Sequence, residues 1–181
     1  AMLKDLEKFN EEISKEGVPA FGMGLGINTD TVVVGNMGST QRFDYTCLGD
    51  GVNLASRLEG QSKPYGVKII LGPRTAELVC DEFTVIELDL IAVKGKTEPV
   101  KIYTVAPFDD SLALDKHKKF LLSYRKGDWK TAKFYINGMK NDGLLAKGWN
   151  GELHKYYELM LERMETDVPD NWDGVYRATS K

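Results

Sequence analysis

Apolar residues at the start of the chain fall three and four positions apart. Leu3, Leu6, Phe9 and Ile13 recur between charged residues until Gly17 and Pro19 end the pattern. This predicts an amphipathic helix over residues 3–16, with a stripe that needs a sheet or another helix to cover it. The period then shortens. Residues 21–27 and 31–35 are short apolar segments joined by Asn28-Thr29-Asp30, turn chemistry at hairpin length, and they predict a β-hairpin. A strand over 42–48 runs into Gly49-Asp50, after which Val52, Ala55 and Leu58 repeat every third residue and predict a helix over 51–62 with these three on its buried stripe.

Beyond Pro64 the pattern predicts a strand over 67–71, a short helix after Pro73, an alternating strand over 83–90 and a last strand over 100–105. Strands and helices that alternate in this way give an α/β or α+β sandwich. After Pro107 the period becomes helical throughout, over 112–125, 128–137 and 152–164, with Gly127 in the first gap and Gly138, Gly143 and Gly148 in the second. The change of character puts a boundary near 108–111, between a sheet-bearing unit over 1–108 and a helical unit over 109–181.

Composition narrows this picture only a little. A chain of 181 residues, 42% hydrophobic and 28% charged, is long enough for one domain with an accessory piece. Its net charge of −3 supplies no general electrostatic reason to bind nucleic acid. No apolar run approaches the roughly 20 residues that span a bilayer, and no signal-peptide core follows the first residues. Together these predict a soluble, cytoplasmic chain, with a membrane attachment elsewhere in a longer parent left open. Met in second place, after Ala1, predicts that residues upstream have been cut away. Cys47 and Cys80 stand far apart without metal or redox spacing, so buried free thiols are expected.

Several candidate features reduce to packing. Gly22, Gly24 and Gly26 do not open a helix and lack the GxGxxG spacing, so small residues in a tightly packed strand account for them. His117 and His154 have no second ligand at useful spacing and read as packing or surface histidines. Asp109-Asp110, beside a helix start at Ser111, reads as linker solvation and helix capping.

The chemistry concentrates where the predicted strand at 42–48 turns into the helix. Asn53 and Arg57 stand four apart and therefore share one helix face. A guanidinium is a permanently charged fork of donors for phosphate oxygens, and a carboxamide can hold a ribose oxygen. By spacing alone, a solvated helix face is the plainer reading. The full string Asp44-Tyr45-Thr46, then Gly49-Asp50-Gly51-Val52-Asn53-Leu54-Ala55-Ser56-Arg57-Leu58-Glu59, closely resembles the signature of class III nucleotidyl cyclases. Matching segments stand in order around it: 24–29, 33–39, Val93-Lys94-Gly95-Lys96, and 99–103. One departure is Asp30, where the family usually has Gly; Asp tolerates a left-handed backbone better than most residues.

The resemblance implies an α+β, ferredoxin-like sandwich of a mostly antiparallel sheet with helices, here the C-terminal portion of the catalytic domain followed by a TPR-like helical extension. It also implies roles. Asn53 and Arg57 would hold the ribose and stabilise the transition state, and Lys94 would contact the departing pyrophosphate. Thr46 would occupy the base-selecting position seven residues before that Asn. By chemistry a threonine hydroxyl suits adenine or guanine; similarity to the threonine subgroup, often bicarbonate-responsive adenylyl cyclases, implies ATP.

The family carries out a phosphoryl transfer with two divalent ions, Mg²⁺ or Mn²⁺, held by two aspartates upstream of the segments matched here. Neither Asp44 nor Asp50 matches them, Asp50 instead sitting where a helix N-terminus favours carboxylate, so no metal ligand is assigned. The family's base-contacting lysine is upstream as well. Cyclase domains of this kind pair head to tail, each site drawing its metal carboxylates from one chain and its Asn and Arg from the other. The implied function is therefore one half-site of an adenylyl cyclase, inactive alone, with a second cyclase domain and ATP as partners. A guanylyl cyclase, or a non-catalytic regulatory or dimerisation module, is the alternative.

Overall fold

A computed structural model describes residues 2–39, 42–93, 98–106, 110–141, 152–166 and 169–177. The first helix, α1 (Met2–Ser14), ends where Gly17 turns left-handed, and none of its residues is fully buried. Its apolar stripe is covered only in part: Phe9 stacks on Phe21 at 6.2 Å. Asn10 holds the following segment, its amide donating to the Phe21 carbonyl (2.9 Å) while its oxygen accepts from the Phe21 N–H (2.8 Å).

Those two bonds explain one correction. The backbone of Phe21 is held by the Asn10 side chain, not by a strand partner, and β1 is short, Leu25–Ile27. The expected hairpin between β1 and the next strand does not form. β1 pairs in parallel with β4 (Ile69–Leu71), and β2 (Val33–Ser39) pairs instead with β3 (Arg42–Leu48), antiparallel over seven residues. β1 is drawn inward because α2 (Asp50–Tyr65) lies directly across it. A Cβ on Gly26 would collide with the Ala55 carbonyl and the Glu59 N–H, and one on Gly24 with Ser62. Gly24 and Gly26 are thus close-packed as expected, whereas Gly22 lies ahead of the strand with open space where a side chain would stand.

The main sheet has the order β1-β4-β6-β5, with β5 (Val85–Ile91) and β6 (Val100–Val105) antiparallel; β2 and β3 form a separate two-stranded ribbon. With α3 (Pro73–Val79) joining β4 to β5, the architecture is α+β with a mostly antiparallel sheet. A register shift between Glu87 and Asp89 interrupts the alternation of β5, and Asp89 is fully buried.

Three further helices follow, α4 (Ser111–Arg125), α5 (Trp129–Asn141) and α6 (Glu152–Thr166). Asp110 caps α4, its carboxylate accepting from the N–H groups of Leu112 (2.9 Å) and Ala113 (3.0 Å). One hydrophobic cluster runs from Leu54, Leu58 and Tyr65 on α2 through Ile70, Leu88 and Ile102 in the sheet to Phe120, Ile136, Tyr156 and Met160 on the late helices. Buried polar groups tie the same layers together. Tyr156 donates to the Leu88 carbonyl (2.6 Å), and His117 lies between the Tyr157 hydroxyl (2.6 Å) and the Glu87 carbonyl (2.7 Å). The chain end folds back so that Trp172 meets Tyr124 and Trp129 edge-on at 5.1 and 5.4 Å. Tyr176 bridges to Ile91 beside β5. No described helix is long and apolar enough to cross a membrane.

Candidate functional site

The turn from β3 into α2 is built by Gly49, the cap residue, whose carbonyl accepts the N–H groups of Val52 (3.1 Å) and Asn53 (3.2 Å). Asp50 lies one place inside the helix, in its first turn, where a carboxylate faces the positive end of the helix dipole. The start of α2 is tied to the end of β1 by Asn28, whose amide donates to the Gly51 carbonyl (3.2 Å). Asp30 sits against Gly51 with an ordinary backbone; among the described residues only glycines have positive φ, so no left-handed turn is needed there. Its carboxylate accepts from the N–H of Thr31 (2.8 Å).

The buried stripe of α2 is Gly51, Leu54, Leu58, Ser62 and Tyr65. Of the three residues expected on it, Leu58 is fully buried, whereas Val52 and Ala55 are only half-covered. The stripe is rotated because Gly51 and Leu54 face the interior at the helix start. Asn53 is consequently exposed and Arg57 lies half-buried at the flank. Four other arginines with described side chains are paired: Arg74 with Glu77, Arg125 with Glu87, Arg163 with Asp89 and Arg177 with Asp173. Among the described residues, neither Asn53 nor Arg57 makes a side-chain hydrogen bond or ion pair. A permanent cation held on a helix with no counter-ion among the described residues is suited to an anion from outside.

Thr46 lies opposite Gly35 in the ribbon and is exposed, together with Phe43, Tyr45 and Leu48. Its hydroxyl is presented to solvent on the strand that leads directly into α2. Cys47 and Cys80 are free and exposed, not buried as expected. The reason for Cys47 is that the ribbon stands apart from the main sheet, so both of its faces are open. Lys94 lies outside the described residues.

A cavity of about 440 Å³ lies beside the turn, lined by Asn28, Thr29, Asp30, Val32, Cys47, Gly51, Val52 and Ala55; Thr46, Asn53 and Arg57 are not among its walls. Asn28, which the sequence pattern places only in a hairpin turn, joins β1 to α2, a long-range contact that a turn residue does not signal. As to metals, no group of three His, Cys, Asp or Glu side chains converges among the described residues. The acidic residues of the turn do not fit a pair of divalent ions.

The model of the family described as the adenylate and guanylate cyclase catalytic domain matches residues 1–107. An adenylate cyclase of Anabaena cylindrica is 43% identical over 111 residues, which are 58% of this chain and 22% of that protein. A terminal-differentiation-specific adenylate cyclase of Dictyostelium discoideum is 35% identical over 149 residues, 81% of this chain and 6% of that protein, and so takes in part of the late helices. Among solved structures, the adenylyl cyclase CyaB from P. aeruginosa is similar with a TM-score of 0.52 and 36% identity, over 59% of this chain and 53% of that one. The chain spans less than a quarter of the length of these curated relatives.

Proposed function

Because this chain belongs to the adenylate and guanylate cyclase catalytic domain family, we propose that it supplies one half-site of an adenylyl cyclase, which converts ATP to 3′,5′-cyclic AMP and pyrophosphate. The ribose 3′-oxygen forms a bond to the α-phosphorus, the bond from that phosphorus to the bridging oxygen breaks, pyrophosphate leaves, and the hydroxyl proton passes to solvent. The observation that carries the reading is that Asn53 and Arg57, four apart on α2, make no side-chain hydrogen bond or ion pair among the described residues, with Thr46 exposed on the strand that leads into that helix. Arg57 would neutralise charge developing on the α-phosphoryl oxygens, and Asn53 would fix the ribose so that its 3′-oxygen is in line. Thr46 would read the adenine edge and Lys94 the pyrophosphate.

Cyclase domains of this family bind ATP, work as dimers and use Mg²⁺ or Mn²⁺. In this reading the ions' ligands come from a second cyclase domain paired head to tail, and the protein acts in the cytoplasm. Residues 1–108 form the catalytic portion and 109–181 a helical extension, a division supported by where the family match stops.

The test mixes this chain with a cyclase polypeptide that contains the same sequence together with the metal carboxylates and carries Arg57→Ala. Cyclic AMP from ATP in the mixture, with little from either partner alone, is the expected result. Product mainly from GTP would make Thr46 a guanine reader. A mixed dimer established by sizing that makes neither product would leave a non-catalytic module.

A further inference from the structure

The late helices and the chain end converge on α2, which carries Asn53 and Arg57, and on β5. Tyr65 is the last residue of α2, fully buried, and its hydroxyl donates to Asp89 Oδ2 of β5 (2.6 Å). Arg163 of α6 donates from Nη1 to the same oxygen (3.0 Å) and to the Tyr65 hydroxyl (3.1 Å). The guanidinium stands over the Tyr65 ring at 4.7 Å and over the Tyr176 ring at 3.5 Å. Tyr176 is itself tied by backbone to the end of β5, its N–H donating to the Leu90 carbonyl (2.8 Å) and its carbonyl accepting from the Ala92 N–H (2.9 Å). α6 also closes on the end of α2, because a Cβ on Gly66 would stand 2.6 Å from the Lys155 Cβ.

One arginine therefore joins the C-terminal end of the helix that carries Asn53 and Arg57 to the end of β5. Val93, two residues past β5, immediately precedes Lys94 in the chain. From Asn53 to Tyr65 the helix is about 18 Å long and packs on one continuous core, so a shift at one end is carried to the other. We propose that Arg163 and Tyr176 are positioning residues for the half-site: the helical extension, through them, fixes α2 relative to the end of β5. Ordinary packing would need only apolar contact here. An arginine that is buried, paired with a carboxylate and held between two tyrosine rings specifies one geometry. The catalytic consequence rests on the reading of the preceding subsection, whereas the mechanical one does not.

The experiment compares the 181-residue chain with Tyr176→Phe, Tyr176→Ala and a chain ended after Asn171. Tyr176→Phe keeps the ring and is expected to match the parent. In Tyr176→Ala, amide exchange is expected to quicken about tenfold in the C-terminal half of α2 and at residues 89–93, and more in the shortened chain, while β4 and α3 keep their protection. In the mixed assembly described above, Tyr176→Ala in this chain should lower kcat about tenfold with the KM for ATP within about twofold. Unchanged exchange in α2 would overturn the proposal, as would an equal loss of protection everywhere, since that is general destabilisation. An active assembly whose kcat is indifferent to Tyr176→Ala would overturn its catalytic part. An assembly inactive even with the parent chain would refute the half-site reading and leave the exchange result to decide the mechanical one.

Discussion

At the scale of single residues, Arg57 and His117 make opposite uses of their surroundings. Arg57 is unpaired among the described residues, and in the role proposed for it Arg57→Ala in a complete cyclase should lower kcat by about 10² to 10³, the usual loss when one transition-state donor is removed; steady-state rates with saturating ATP check this. His117 is fully enclosed. Its Nε2 faces the Glu87 carbonyl, which can only accept, so that nitrogen carries the proton and Nδ1 accepts from Tyr157. Burial, helped by the nearby Lys118 charge, pushes its pKa down to about 3 from an ordinary 6.5. The unfolded chain takes up a proton below pH 6.5 and the native one does not until about 3, so stability is lost as pH falls through that window, by about 1.4 kcal/mol per unit. Asp89 opposes this, since burial raises it to about 6 against the pull of Tyr65, Arg163 and the Leu90 N–H, and its native form gains a proton first. His117→Gln should therefore flatten the acid limb of urea midpoints measured between pH 7 and pH 4. Asn53, Arg57 and Thr46 stand out in the sequence as candidates because they form one short string. Asp89 was not. By alternation it shares the outward face of Glu87, and only the bulge in β5 turns it inward to meet partners 24 residues before and 74 after it.

Among the elements, α2 shows how a helix end can be specified twice. Gly66 has φ 66, and its N–H and that of Val67 satisfy the last carbonyls of the helix. Lys155 occupies the space a side chain would need. Gly66→Ala meets both the conformational cost and the contact, and should destabilise the chain by about 1 to 3 kcal/mol. Asp110→Ala, which removes only the cap of α4, should cost about 1 kcal/mol. Thermal or urea unfolding of the two variants would distinguish them, with Gly66→Ala the more damaging. The late helices and β6 were predicted to within a few residues because period and caps decide them locally. The hairpin after β1 failed for the converse reason. Which strand accepts β1 depends on α2 crossing it, a contact between residues about thirty apart that no local pattern encodes.

For the molecule as a whole, the sheet and the late helices share one core, whereas the ribbon of β2 and β3 leaves Val33, Val34, Phe43, Tyr45 and Leu48 uncovered. Apolar side chains exposed together in this way favour association in water. Sedimentation of the chain should accordingly show concentration-dependent association that Val34→Lys with Tyr45→Lys suppresses. Where the chain end folds back, Tyr124, Trp129 and Trp172 meet edge to face at 5.1 to 5.6 Å, and the Trp172 indole donates to the carbonyls of Tyr124 and Arg125. Rings so close and so fixed couple their electronic transitions. The chain thus carries its own optical gauge of whether its end is seated: a near-ultraviolet dichroism band and a quenched, blue-shifted indole emission, both lost when that end comes away.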